Sequence, residues 1–249
     1  MKNKLYLYTA GIFFMLFILI YFLFNLNTLE PIIYKLLNVN VGNPAKYNVA
    51  YLTKQFLFVA GISTIISLIL GLIIGIFCTS NFGKEFKEII EVISTILKSF
   101  PEIAMIRFIV PLLGLGAWPS IIALIAHGVL PVIFATISGI ENVDKNLIKA
   151  ARGLGLSNYH IFKNLVLPLA IPVIISGFRV TVISCIGGAT IASSAGAEGL
   201  GILLKAGQET YNIVLIFECA LVILLLSLIS DFTLKIAEYK IGNYIYGGN

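Results

Sequence analysis

The residues best equipped for chemistry in this chain are ionisable groups set inside apolar runs: Glu102, Arg107, His127, Arg179, Glu218 and Asp231. A charge held in hydrocarbon is costly, so each needs a counter-charge, a polar cavity or a route to water. By their positions along the runs, Arg107 is expected to pair with Glu218 and Arg179 with Asp231, as structural pairs rather than solute contacts. His127 stands alone in its run and reads as a satisfied packing residue, not a metal ligand or proton relay. Hydrolytic chemistry has no footing, because the chain carries no Walker loop, no HExxH and no GxSxG. Cys78, Cys185 and Cys219 are odd in number, lie in apolar runs and show no CxxC spacing, which leaves them as small packing residues. The relay of acids and histidines that a proton-coupled carrier or channel needs is missing. So is the cluster near one interface that an enzyme acting on lipids needs.

The elements that must position these groups follow from composition. With 59% apolar and 12% charged residues, the chain is built for a solvent other than water. Its net charge of +5 is scattered singly between apolar runs, with none of the basic stripes of a nucleic-acid binder. Crossing the hydrocarbon core takes about 20 apolar residues, and six stretches qualify, at about 5–24, 53–78, 88–113, 118–139, 170–195 and 212–236. The first is too long for a secretory signal core and lacks a small-x-small site after it, so it reads as a retained helix. The third is atypical, since Glu88, Glu91, Lys98, Pro101, Glu102 and Arg107 fall within it. Pro101, Pro111 and Pro131 are expected to kink the third and fourth spans. If Pro101 turns its helix inward, Pro101, Glu102, Thr190, Ser193 and Ser194 become candidate path-lining residues. The fifth span is dense in small residues from Ser184 to Gly196, which permits close helix approach. Gly71 and Gly75 form a GxxxG pair of the kind that marks ordinary packing.

Positive residues accumulate on the cytoplasmic side. With the N-terminus inside, Lys2, Lys4, Lys84, Lys87, Lys145, Lys149, Arg152, Lys163, Lys235 and Lys240 fall there, against Lys35, Lys46, Lys54 and Lys205 opposite. That asymmetry puts both termini and the long loop at 141–168 in the cytoplasm. The loop reads as two short helices. Asn142 or Asp144 caps the first, Gly153 and Gly155 break it, Ser157 starts the second, and Pro168 ends it. Such an amphipathic hairpin either lies on the headgroups or docks a soluble partner.

Within it, Lys149-Ala150-Ala151-Arg152-Gly153-Leu154-Gly155, followed after nine residues by Leu165-Val166-Leu167-Pro168, resembles the EAA loop of ABC importer permeases, E-A-A-x3-G-x9-I-x-L-P. Lys149 stands where the family usually has Glu, and Leu165 replaces Ile. Over roughly residues 50–240, the segments at 109–116, 121–124 and 130–131 and the run Gly187 to Gly201 (GGATIASSAGAEGLG) are similar to permeases of glycine betaine, carnitine and choline importers. Methionine and phosphonate importer permeases share much of this frame, and Lys98-Ser99-Phe100-Pro101-Glu102 is closer to the phosphonate type.

The resemblance implies an all-α membrane protein with the type I ABC importer permease fold, a single transmembrane domain over 1–249 with about six spans, in a bacterial cytoplasmic membrane. It implies an osmoprotectant or other quaternary amine as solute, a phosphonate- or methionine-like solute being the alternative. No cofactor would be bound by this chain, and ATP would be used by a separate ATP-binding subunit. That subunit would dock on Asp144, Lys149, Ala150, Ala151, Arg152, Gly153, Gly155, Phe162, Leu167 and Pro168. An extracellular substrate-binding protein, a second permease chain and the lipid bilayer complete the expected partners, with no nucleic acid among them. The chain stops soon after the sixth span, so the binding protein is expected to be a separate molecule.

Overall fold

The computed structural model describes residues 2–25 and 48–246, and every element among them is helical. Lys35 and Lys46 of the charge comparison, and Leu26 to Thr28 after the first span, lie outside the described residues. We number the helices α1 (Lys2–Phe24), α2 (Val49–Thr79), α3 (Lys87–Ser99), α4 (Glu102–Leu113), α5 (Ala117–Glu141), α6 (Lys145–Gly153), α7 (Asn158–Ile161), α8 (Leu167–Ile191), α9 (Leu200–Glu209) and α10 (Ile213–Tyr246). Helices α2, α5 and α10, and α8 with the turns that flank it, are long and apolar enough to cross a bilayer. Helix α1 contributes a shorter apolar stretch, Tyr8–Leu23.

The predicted third span is not one helix. Phe100 and Pro101 are extended (ψ 125° and 130°), so α3 ends at Ser99 and α4 begins at Glu102. Proline disfavours helical geometry in the residue before it and has no N–H to continue the ladder. The chain therefore breaks here rather than bending. At 1.5 Å per residue neither piece is long enough to span alone. Ile89, Val92, Ile93 and Ile96 leave an apolar face of α3 exposed, while Lys87 ties the helix to α5 through Glu141 at 2.8 Å.

Helix α5 forms the centre, between α2 and α8. In lipid, helix association rests on close packing and interhelical hydrogen bonds rather than on expulsion of water. Gly71 and Gly75 of α2 lie so near α5 that an added Cβ would come within 2.5 Å of Val132 and 2.6 Å of Thr136. The GxxxG pair is thus spent on packing inside the chain. On the other flank, a Cβ at Gly177 of α8 would meet Ala135 at 2.4 Å. Thr181 donates to the Gly128 carbonyl at 2.7 Å and Ser67 to the Ile125 carbonyl at 3.4 Å, while Ser63 donates to the Val59 carbonyl of its own helix at 2.8 Å and lies 3.5 Å from the Ile121 carbonyl. Cys185 and Cys219 are buried, with the Cys219 thiol donating to the Leu200 carbonyl, and all three cysteines are unpaired.

Between the fifth and sixth predicted spans lies a helix that hydropathy did not announce. A left-handed Gly196 (φ +80°) stops the α8 segment, and α9 then turns back against α8 and α10. Gly201 of α9 sits directly under the Thr190 carbonyl, where a Cβ would be at 2.1 Å. Asn212 caps α10 by accepting from the Leu215 N–H at 3.0 Å. Helix α1 lies along α10, its Tyr8 ring beside Phe232 and beneath the Lys235 ammonium, 5.0 Å from the ring centre.

Candidate functional site

The α6–α7 hairpin closes one end of the bundle, which we call the hairpin end. Its geometry follows from four residues. Asp144 caps α6, its carboxylate accepting from the Asn146 N–H at 2.8 Å, and Ser157 caps α7 through the His160 N–H. Asn142 instead donates to Ser138 at the end of α5. At the α6 C-terminus, the Leu156 N–H bonds the Ala151 carbonyl, the Gly155 N–H bonds that of Arg152, and Gly155 has φ +80°. This is a Schellman motif, which needs a left-handed residue at the glycine position. Ser157 also binds the His160 ring at 2.7 Å, and Arg152 donates to Asn158 at 3.3 Å, holding the two short helices together.

The hairpin's own core is Val143, Ala151, Ile161 and Val166, with Phe162 and Leu165 packed against it. Of the predicted docking residues, Ala151 is therefore structural. Phe162, Leu167 and Pro168 are half-buried, and Asp144, Lys149, Ala150, Arg152, Gly153 and Gly155 are exposed. The hairpin offers large apolar surface at its tip, with Leu154 82% and Tyr159 66% exposed. Between α7 and α8, Phe162–Val166 is a π turn, an extra-residue bulge that re-aims α8 as it enters the bundle. Pro168 does not end the second helix as expected: residues Asn158–Ala195 run on as one helical segment, and the π turn directly before the proline accommodates its ring and missing N–H.

Two cavities lie end to end along the seam between α4 and α8. The one nearer the hairpin end, about 650 Å³, is lined by Lys98, Glu102, His127, Pro131, Phe134, Ser184 and Gly188, among others. The other, about 450 Å³, is lined by Ile103, Arg107, Thr190, Ser193, Ser194, Gly201, Lys205 and Gln208, with Ile191 and Leu204 completing its wall. Glu102 and Ile103, adjacent in sequence, face different cavities, so the level of Glu102 and Gly188 is where the two meet. Gly188 makes room for the carboxylate, since a Cβ there would lie 2.6 Å from Glu102 Oε1.

The predicted path-lining set is therefore divided. Thr190, Ser193 and Ser194 share the far cavity, Glu102 lies in the other, and exposed Pro101 lines neither. Arg179 meets Asp231, as expected, and also Glu238. The expected pair of Arg107 with Glu218 does not form among the described residues. Arg107 is exposed at the far cavity, whereas Glu218 is fully buried in α10. Equal depth along two helices does not place two side chains on facing sides. His127 is likewise not a satisfied packing residue, because its Nε2 is buried without a hydrogen-bond partner among the described residues and the ring lines the larger cavity. The sequence reading missed Lys205 and Gln208 as cavity residues. Gly201, Lys205 and Gln208 recur at helical spacing, a pattern that becomes visible once α9 is known to exist.

Comparison with known proteins places this geometry among transport proteins. The sequence profile of binding-protein-dependent transport system inner membrane components matches residues 71–243. The chain is 35% identical over 195 residues to the carnitine transport permease protein OpuCB of Listeria monocytogenes, covering 78% of this chain and 88% of that one. It is 34% identical to the choline transport system permease protein OpuBB of Bacillus subtilis (strain 168), covering 77% and 87%. Among solved structures, an inward-facing MetNI methionine ABC transporter chain superimposes with a TM-score of 0.67 at 19% identity, over 75% of this chain and 93% of that chain.

Proposed function

Because the chain belongs to the family of binding-protein-dependent transport system inner membrane components, it is a multi-pass permease subunit, and we propose that it imports osmoprotectant-type solutes of the carnitine, betaine and choline class in an ATP-driven complex. The solute class rests on the carnitine, glycine betaine and choline transport of its relatives. The observation that carries the coupling reading is the hairpin, a capped helix pair whose glycine turn thrusts Leu154 and Tyr159 away from the bundle. Such a surface suits a groove on a soluble ATP-binding subunit. Lys145, Lys149, Arg152 and Lys163 on the hairpin support its assignment to the cytoplasm, with the far cavity on the outside, where a solute-binding protein would deliver. Both termini are then cytoplasmic.

The exposed face along the seam supports a second permease chain there. Phe108, Leu112, Val180 and Ile183 are 71%, 74%, 52% and 41% exposed beside the two cavities. A path between two copies would be closed on its open side by the partner, and rocking of the copies would open the cavities in turn.

The test is reconstitution. The permease co-expressed with its ATP-binding subunit, placed in liposomes with the solute-binding protein, is expected to accumulate radiolabelled glycine betaine, carnitine or choline only with ATP. Uptake by the permease alone, or failure of the two subunits to copurify, would overturn the proposal.

A further inference from the structure

The two cavities differ in charge along one path: the carboxylate of Glu102 lies in the inner one, with Lys98 also on its wall, and the outer one is cationic. The outer one presents the guanidinium of Arg107 and the ammonium of Lys205, together with the amide of Gln208, and among the described residues no acidic side chain lines it. Lys205 is within 3.8 Å of Glu209, whereas Arg107 has no ion pair among the described residues. Ser194 Oγ is buried on the same wall with no hydrogen-bond partner among the described residues. Thr190 is already committed, donating to the Ile186 carbonyl of its own helix. A free guanidinium and an unspent hydroxyl facing one polar space are the donors a carboxylate needs, and the guanidinium can take it in a bidentate grip.

Five residues inward on the same helix, a rise of roughly 7.5 Å, stands Glu102. Its carboxylate lies over Gly188 and makes no ion pair among the described residues, Lys98 at the inner mouth included. We infer that the path is built for a zwitterion, with Arg107 and Ser194 receiving its carboxylate and Glu102 its cationic group. This rests on the importer reading above and narrows its solutes to those bearing a carboxylate, glycine betaine or carnitine rather than choline. Each charge of such a solute then meets an opposite one where the surrounding medium is apolar, which would otherwise make its passage costly.

The experiment uses the whole complex in liposomes with saturating, solute-loaded binding protein, so that delivery does not limit the rate. Wild-type uptake of glycine betaine establishes the importer reading by itself. Arg107→Gln is then expected to lower that uptake about tenfold, the factor that corresponds to losing a 1.4 kcal/mol contact. Arg107→Lys, which keeps the charge, recovers most of it. Choline, with no carboxylate, enters the wild type more slowly than glycine betaine, and whatever choline uptake exists is insensitive to Arg107→Gln. Unchanged glycine betaine uptake in Arg107→Gln, an equal proportional loss for both solutes, or failure of Arg107→Lys to rescue would overturn the inference while leaving the importer reading intact.

Discussion

Arg179 and Asp231 join α8 to α10 across the membrane-embedded part of the bundle, the guanidinium Nη2 lying 2.8 Å and Nε 2.9 Å from the same carboxylate oxygen. Arg179 Nη1 reaches Glu238 at 2.9 Å, so one cation serves two acids two helical turns apart. Removing the arginine leaves two facing carboxylates, while removing one carboxylate leaves the arginine a partner. Arg179→Gln is therefore expected to destabilise by about 2 kcal/mol or more, and Asp231→Asn by less. Thermal unfolding in detergent checks the order; equal melting temperatures for the two variants would refute it.

Gly155 sits at φ +80°, where a β-branched residue is strongly disfavoured and asparagine is tolerated. Gly155→Val should insert in the membrane yet lose ATP-driven uptake, at a local cost of roughly 1–2 kcal/mol, whereas Gly155→Asn should retain most of it. Uptake that is the same in both variants would detach the turn from coupling.

Gly201 and Gly187 separate tight packing from open space. A Cβ at Gly201 would meet the Thr190 backbone oxygen at 2.1 Å, and one at Gly187 meets nothing within 4 Å. Backbone must move to admit the first, at a cost of about 1–3 kcal/mol, so Gly201→Ala should lower the melting temperature and Gly187→Ala should not. A neutral Gly201→Ala would mean that α9 does not pack on α8 at this point.

Lys87 offers a pH test. Its hydrogen bond to the Glu141 carboxylate, at 2.8 Å, holds the ammonium above its ordinary pKa. A raised folded pKa contributes stability that is complete below the unfolded value and fades as pH rises through the folded one. The pair is half open to solvent, so Lys87→Met should cost less than about 1 kcal/mol. The gap between the wild type and this variant should hold from neutral pH to pH 9 and close only in strong alkali. A gap that closes near neutrality would assign the effect to another group.

Ser157 makes the last prediction. It accepts from the His160 N–H and binds the His160 ring, so Ser157→Ala should loosen α7 by about 1 kcal/mol. Faster amide hydrogen exchange confined to α7 and the adjoining turn would be the sign of it; exchange unchanged there would show that the cap holds nothing.

What sequence alone determined here was whatever depends on composition and on neighbours along the chain. Long apolar runs dictate spans because unpaired backbone groups cannot face hydrocarbon, and Asp144, Gly155 and Ser157 dictate the hairpin because caps and turns are local, whereas Pro168, expected to stop the second helix, is carried through by a π turn. Arg179 found Asp231 because both lie toward the same end of adjoining helices. Tertiary structure decided what depends on helix rotation and on which helices touch. It turned Arg107 toward the far cavity and Glu218 into the α10 interior, divided Glu102 from Thr190 and Ser194, and gave His127 a cavity wall. It also folded α9 back beneath Thr190, a placement that a ten-residue helix of mixed polarity does not announce. Depth in a membrane is a one-dimensional quantity that a sequence can encode, but the direction a side chain faces is set by every helix packed around it.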